Sequence, residues 1–218
     1  MFVSREQAAE KLSQAPSLKK LDRAADAVVL GIPRGGAVTA AVLAKRLHLP
    51  LDCIVTRKIA APGNPEYAIG AVGESGPAVW NDAASGLFSD RDREDMVEAA
   101  RKEAARRNLV YRQGRLLSLR GKTAILADDG LATGMTMLAA AQEAKHAGAD
   151  NVVVATPVAP PDTVKKLQRI ADEVVVLESP VYFAAVGQFY EEFPQVSDKE
   201  VRRLLDKFGH GRSGQKRK

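Results

Sequence analysis

Apolar residues along the chain fall in short unbroken runs, separated by longer stretches in which apolar and polar positions mix. That pattern predicts buried strands alternating with helices. Ala27-Val28-Val29-Leu30-Gly31-Ile32 is a run of strand length, followed by the turn Pro33-Arg34-Gly35-Gly36 and an Ala- and Leu-rich helix over 37–47. Leu51-Asp52-Cys53-Ile54-Val55-Thr56 predicts a second strand, and Ala61-Pro62-Gly63-Asn64-Pro65 a loop. Short strands over 67–74 and 78–80 suggest a hairpin lying off the main sheet. The clearest helix spans 89–112. Ser89 suits its cap, Asp90, Asp92, Glu94 and Asp95 cluster at its start, and Arg106, Arg107 and Arg112 sit toward its end. Two strand–helix units follow, 122–129 with 134–147 and 151–156 with 162–170. A strand over 173–178, an irregular aromatic segment over 182–193 and a helix near 198–206 complete the pattern. This alternation predicts an α/β fold, an open and mostly parallel sheet with helices on both faces.

Length and composition narrow the picture. With 218 residues, 45% hydrophobic and 27% charged, the chain can bury one full core, or one core with a small subdomain. No apolar run approaches the roughly 20 residues of a membrane helix, and Met1-Phe2-Val3-Ser4-Arg5-Glu6 lacks the basic-then-apolar pattern of a signal segment. A single cysteine, Cys53, cannot form an intrachain disulfide, so a reducing cytoplasm is the expected setting. The net charge of +5 comes from residues 207–218, which hold Lys207, Arg212, Lys216, Arg217 and Lys218 and no acid. Without them basic and acidic residues balance at 27 each. A Gly/Ser/Lys/Arg tail of this composition is expected to be disordered, and the balanced body gives little reason to expect nucleic acid as a partner.

The richest stretch chemically is Ala124-Ile125-Leu126-Ala127-Asp128-Asp129-Gly130-Leu131-Ala132-Thr133-Gly134-Met135-Thr136. It begins as a buried strand and then sets two carboxylates at the strand's C-terminal end, where open α/β sheets bind their ligands. Burying an unpartnered acid costs several kcal/mol, so two in succession ask for a functional explanation. Gly130 and Gly134 let the backbone approach a ligand closely, Thr133 and Thr136 add hydroxyls, and a helix N-terminus follows at once. Two ribose hydroxyls on Asp128 and Asp129, with a phosphate held over Ala132–Thr136, would satisfy every one of these groups.

This stretch resembles the signature of type I phosphoribosyltransferases that binds phosphoribosyl pyrophosphate (PRPP): four apolar residues, an acidic pair, three variable residues, then Thr-Gly-x-Thr. Every position matches. The resemblance implies that Asp128, Asp129, Gly130, Ala132, Thr133, Gly134, Met135 and Thr136 hold the ribose and its 5-phosphate. It further implies that Arg34, Gly35 and Gly36, after the first strand, bind pyrophosphate, joined by Arg57 and Lys58 after the second. Arg34, Lys58, Asp128 and Asp129 become the expected catalytic set. Mg²⁺ would arrive with PRPP, and Asp128 or Asp129 could touch it. Glu66 is a candidate base or Mg²⁺–water ligand, with a plain surface acid as the other reading.

Family members add a small hood that recognises the acceptor. Its expected pieces lie near 1–20 and 181–206, with Phe183, Val186, Phe189 and Tyr190 as acceptor candidates or simply as hood core. Residues 1–206 would then form one domain. The implied activity is transfer of 5-phosphoribosyl to a nitrogen acceptor, with a homodimer as the family's common assembly. A regulator sensing PRPP or a nucleotide, one form of which would bind RNA through the basic tail and exposed arginines, and a nucleotide hydrolase or phosphorylase, remain the alternatives. Other motifs fail on inspection. Gly121-Lys122-Thr123 lacks the earlier glycine of a phosphate-binding P-loop, where Leu116 stands, and His48, His146 and His210 have no metal-ligand spacing.

Overall fold

The computed structural model describes residues 1–61, 64–81 and 86–208, with backbone alone for 64–67. Five strands form one parallel sheet: β1 (Ala27–Gly31), β2 (Leu51–Cys53), β6 (Thr123–Ala127), β7 (Asn151–Val158) and β8 (Glu173–Glu178), in the order β2-β1-β6-β7-β8. Successive residues of a strand face opposite sides of the sheet, and both sides here are apolar. Val28, Leu30, Ala124, Leu126, Val152 and Val154 pack on one face with helices α5 (Met135–His146) and α6 (Pro161–Leu167). Ala27, Val29, Ile125, Ala127, Val153 and Ala155 pack on the other against α3 (Gly35–Arg46), joined by Leu12 of α1 (Arg5–Leu12) and Leu18 of α2 (Pro16–Lys19). Double-sided burial explains why these strands read as unbroken apolar runs.

From β1 the chain winds outward through α3 to β2. From β6 it winds the opposite way, through α5 to β7 and α6 to β8. The direction reverses between β1 and β6, which pair in parallel with Gly31 beside Ala127. A crevice opens at the C-terminal ends of strands on either side of such a reversal.

A second, antiparallel sheet comprises β3 (Arg57–Ala61), β4 (Asn64–Val72) and β5 (Val79–Trp80). Two sequence expectations are corrected here. The second core strand stops at Cys53, and Arg57 and Lys58 open a separate strand rather than ending the previous one. Of the loop expected over 61–65, Ala61 ends β3 and pairs with Asn64 of β4, with pairing irregularities at Ile59–Ala61; Pro62 and Gly63 lie outside the described residues. Glu66 falls in β4, and its side chain lies outside the described atoms. Helix α4 (Asp90–Arg112) starts on a reciprocal cap, with Ser89 Oγ accepting from Asp92 N–H and Asp92 accepting from Ser89. The last helix, α7 (Asp198–Phe208), is longer than the sequence suggests. Lys207 is therefore helical, and residues 209–218 lie outside the described set. Among the described residues no helix is long and apolar enough to cross a membrane.

Candidate active site

Asp128 and Asp129 follow directly on β6, and Arg34-Gly35-Gly36 follows β1 beside them. A Cβ placed on Gly35 would lie 2.0 Å from Asp129 Oδ2, and one on Gly36 would lie 2.6 Å from Ala127 O and 2.7 Å from Asp128 Oδ1. Only glycine lets the two turns touch. The peptide joining Pro33 to Arg34 is cis.

Two helix N-termini flank the acidic pair. Helix α3 begins after Arg34 and α5 after Gly134, whose φ of 72° is left-handed; neither helix has a side-chain cap. An uncapped first turn presents backbone N–H groups and the positive end of the helix dipole, a setting that suits phosphate. The loop leading to α5 is fixed from below. Thr163 Oγ1 donates to Ala132 O at 2.6 Å, and Leu131 N–H donates to Val158 O at 2.9 Å. Ala132 and Thr133 are left exposed, Thr136 half-buried and Met135 buried. Gly130 presses so closely on Val186 that a Cβ would meet its Cγ1 at 2.4 Å.

The two acids differ. Asp129 is buried, and Arg5 Nε donates to its Oδ2 at 2.6 Å. Arg5 is itself held twice more: Nη1 donates to Pro194 O at 2.7 Å, and the guanidinium stacks 3.6 Å from the Phe193 ring centre. Tyr190 Oη donates to the Asp129 carbonyl at 2.5 Å. Asp128 keeps some surface open to solvent, but protein atoms enclose its carboxyl group, whose Oδ1 accepts from Asp129 N–H at 2.9 Å. This burial, and then the neighbouring Asp129 charge, push its pKa well above the usual carboxyl range.

Positive charge gathers beyond α3. Arg34 is exposed and forms no ion pair among the described residues. Arg57 is half-buried, and its pKa is lowered by that burial and by Arg107 close by. Tyr111 lies within the fields of Arg107 and Arg34, yet its hydroxyl is pushed up to about 12 by burial and by the hydrogen bond it donates to Asp198 at 2.6 Å. Lys58, the next residue of β3, faces the other way and is exposed. The two basic residues read together in the sequence thus serve opposite faces of one strand.

Among the acceptor candidates the rings pack on one another. Phe183 and Phe189 lie 4.9 Å apart, and Tyr190 contacts Phe2 at 5.5 Å and Phe193 at 4.9 Å. With Val186 they form a cluster over Val158. The N-terminal segment divides its contacts: Phe2 and Ala8 join this cluster, while Leu12 and Leu18 belong to the main core. Sequence reasoning missed Arg5 and Arg107, since single arginines on helices carry no motif.

Among the described residues no three His, Cys, Asp or Glu side chains converge as a metal cage. Two adjacent carboxylates, each with an oxygen already hydrogen-bonded, fit a hard cation such as Mg²⁺ when a bound phosphate and water supply the remaining oxygens, the common habit of that ion.

A family model described as "Phosphoribosyl transferase domain" matches residues 4–191. Two curated proteins of Mycobacterium tuberculosis, from strains CDC 1551 / Oshkosh and H37Rv and provisionally named phosphoribosyl transferases, are 47% identical over 183 residues. The match covers 83% of this chain but 41% of each relative, so the chain spans about two fifths of their length. The crystal structure of TT1426 from Thermus thermophilus superposes with a TM-score of 0.79 at 39% identity, covering 95% of this chain and 99% of that one.

Proposed function

Because the chain belongs to the phosphoribosyl transferase domain family, we propose that its crevice binds PRPP and transfers the 5-phosphoribosyl group to a nitrogen acceptor. The observation that carries this reading is the acidic pair seated between two uncapped helix N-termini, one at α3 and one at α5. PRPP has the same sequence of groups: a phosphate, a diol and a pyrophosphate. Its 5-phosphate suits Ala132–Thr136 and its pyrophosphate suits Arg34-Gly35-Gly36, with Arg57 closing from the hairpin. Asp128 and Asp129 accept from the ribose hydroxyls.

In the reaction the acceptor nitrogen's lone pair forms the bond to the sugar's C1 while the C1–O bond to pyrophosphate breaks. Pyrophosphate leaves with that electron pair, and the acceptor nitrogen gives up its proton to solvent or a nearby base. Positive charge develops on the sugar and negative charge on the leaving group. Arg34 and Arg57 offset the latter, and the carboxylates orient the ribose. Asp128 or Asp129 would help hold Mg²⁺ when it is bound with PRPP, and the ion would supply further charge neutralisation. Arg5 acts through Asp129: Pro194 O and the Phe193 ring hold its guanidinium, and it in turn holds the carboxylate in place.

The test is pyrophosphate release from PRPP and Mg²⁺ against a panel of free bases and small nitrogen heterocycles. One pyrophosphate per ribosylated acceptor is expected, falling about 100-fold or more in Asp129→Asn. Nucleotide breakdown that proceeds without PRPP, or an Asp129→Asn variant with normal rates, contradicts the proposal.

A further inference from the structure

A separate cavity of about 490 Å³ opens on the α5–α6 side of the molecule, between β4–β5 and these two helices. Its size is ample for one small ligand. Lys58, Lys166 and Arg169 line it together with Trp80, Thr133 and Met135. All three cations are exposed, none forms an ion pair among the described residues, and no described carboxylate lines the cavity. Lys165, one position before Lys166, does find an acid, pairing with Asp162 at 3.7 Å. Three unpaired cations converging on one concave surface repel one another, and an anion relieves that repulsion.

Trp80 adds a second kind of recognition. Arg93 lies over its ring, 5.2 Å from the centre, and belongs to the neighbouring groove on the α4 side, which Trp80 also lines. The half-buried indole forms the wall between the two spaces and borders the cationic cleft from the other side. A planar ring with several negative charges answers both features: stacking for the indole and charge for the cations.

We propose that this cleft is a second binding site, for a nucleoside diphosphate, distinct from the ribose-phosphate grip but touching it at Thr133 and Met135. The diphosphate meets Lys58, Lys166 and Arg169, and the base lies against Trp80. The shared loop makes the two sites neighbours, and any effect of one occupant on affinity at the other is equal in both directions. The proposal stands independently of the PRPP reading.

Trp80 is the chain's single tryptophan, so tryptophan fluorescence reads the wall between the two spaces, and the cleft variant assigns a signal to the cleft. ADP is titrated against wild type, Lys166→Ala/Arg169→Ala and Asp128→Asn/Asp129→Asn, with inorganic pyrophosphate as the ring-free comparison. Saturable quenching by ADP is expected in wild type and in the aspartate variant, with Kd about tenfold or more weaker in the cleft variant. Inorganic pyrophosphate is expected to bind more weakly than ADP. Lack of saturable quenching at millimolar ADP overturns the proposal, as does equal binding by the cleft variant. Loss of binding in the aspartate variant assigns ADP to the ribose-phosphate grip instead, and pyrophosphate binding as tight as ADP removes the role of the indole. PRPP titrated into the cleft variant keeps the two readings apart: PRPP affinity lost there would make the cleft part of the first site.

Discussion

Gly35 and Asp129 touch because glycine carries no Cβ, and the carboxylate it meets has nowhere else to go. A free aspartate would swing away from an added methyl group, but Arg5 holds Asp129 at 2.6 Å and is itself pinned by Pro194 and Phe193. Gly35→Ala therefore displaces a fixed carboxylate. It is expected to weaken PRPP binding about tenfold to a hundredfold, a cost in the range of core overpacking. In an Arg5→Ala background the same change costs less, because the carboxylate is then able to move; a double-mutant cycle on PRPP affinity measures that coupling. Additive effects would mean that Arg5 does not hold the carboxylate against Gly35. Asp128 supplies a different test. Burial raises its pKa above the ordinary 3.8, so between that value and its own the folded state holds a proton that the unfolded chain has released. Stability then falls as pH rises through this window. Asp128→Asn removes the dependence and is expected to melt higher than wild type at neutral pH, with the difference vanishing below about pH 4. A variant that melts lower at neutral pH contradicts the assignment. The acids and glycines of this site were legible in the sequence because they form a contiguous motif with a chemical purpose. Arg5 was not, because its role depends on a contact 124 residues away.

At the scale of elements, Ala71 and Val79 pack the second sheet on the main core, and one buried acid clamps the turn beside them. Glu143 of α5 accepts from Ser75 N–H at 3.0 Å, Ser75 Oγ at 2.7 Å and Gly76 N–H at 2.6 Å, anchoring the turn between β4 and β5. The same helix presents its N-terminus to the crevice, so this clamp ties the hairpin bearing Arg57 and Lys58 to the phosphate-facing end of the site. Glu143→Ala leaves the buried Gly76 N–H without its partner, gives up both Ser75 bonds and opens a void. It is expected to cost about 3 kcal/mol, a fall in Tm on the order of 10 °C, and calorimetry reads it directly. A change within a degree or two would show that the turn holds without it. Strands β1, β6 and β7 were readable because burial on both faces leaves uninterrupted apolar runs. Strand β3 was not: Arg57-Lys58-Ile59-Ala60-Ala61 alternates its exposure only weakly, and its pairing with β4 is decided by the hairpin. Helix α2 escaped notice for a similar reason, since four residues carry too little periodicity.

At the scale of the whole molecule, the parallel sheet reverses its winding between β1 and β6, and the Gly turn and acidic pair sit at that reversal. Alternating strands and helices made the sheet and its two helical layers legible. Strand order was beyond composition and periodicity, because it depends on which side each crossover packs. The separate antiparallel sheet also creates the cationic cleft, which joins residues from β3, β5, α5 and α6 that no local pattern connects.

The central claim is that one crevice grips PRPP through this pair of acids, and titration calorimetry of PRPP with and without Mg²⁺ tests it most directly. The account predicts saturable binding that strengthens with Mg²⁺ and is lost in Asp128→Asn/Asp129→Asn, while the variant's melting curve stays cooperative. No PRPP binding by the wild type in either condition, or binding that survives in the folded double variant, would contradict it.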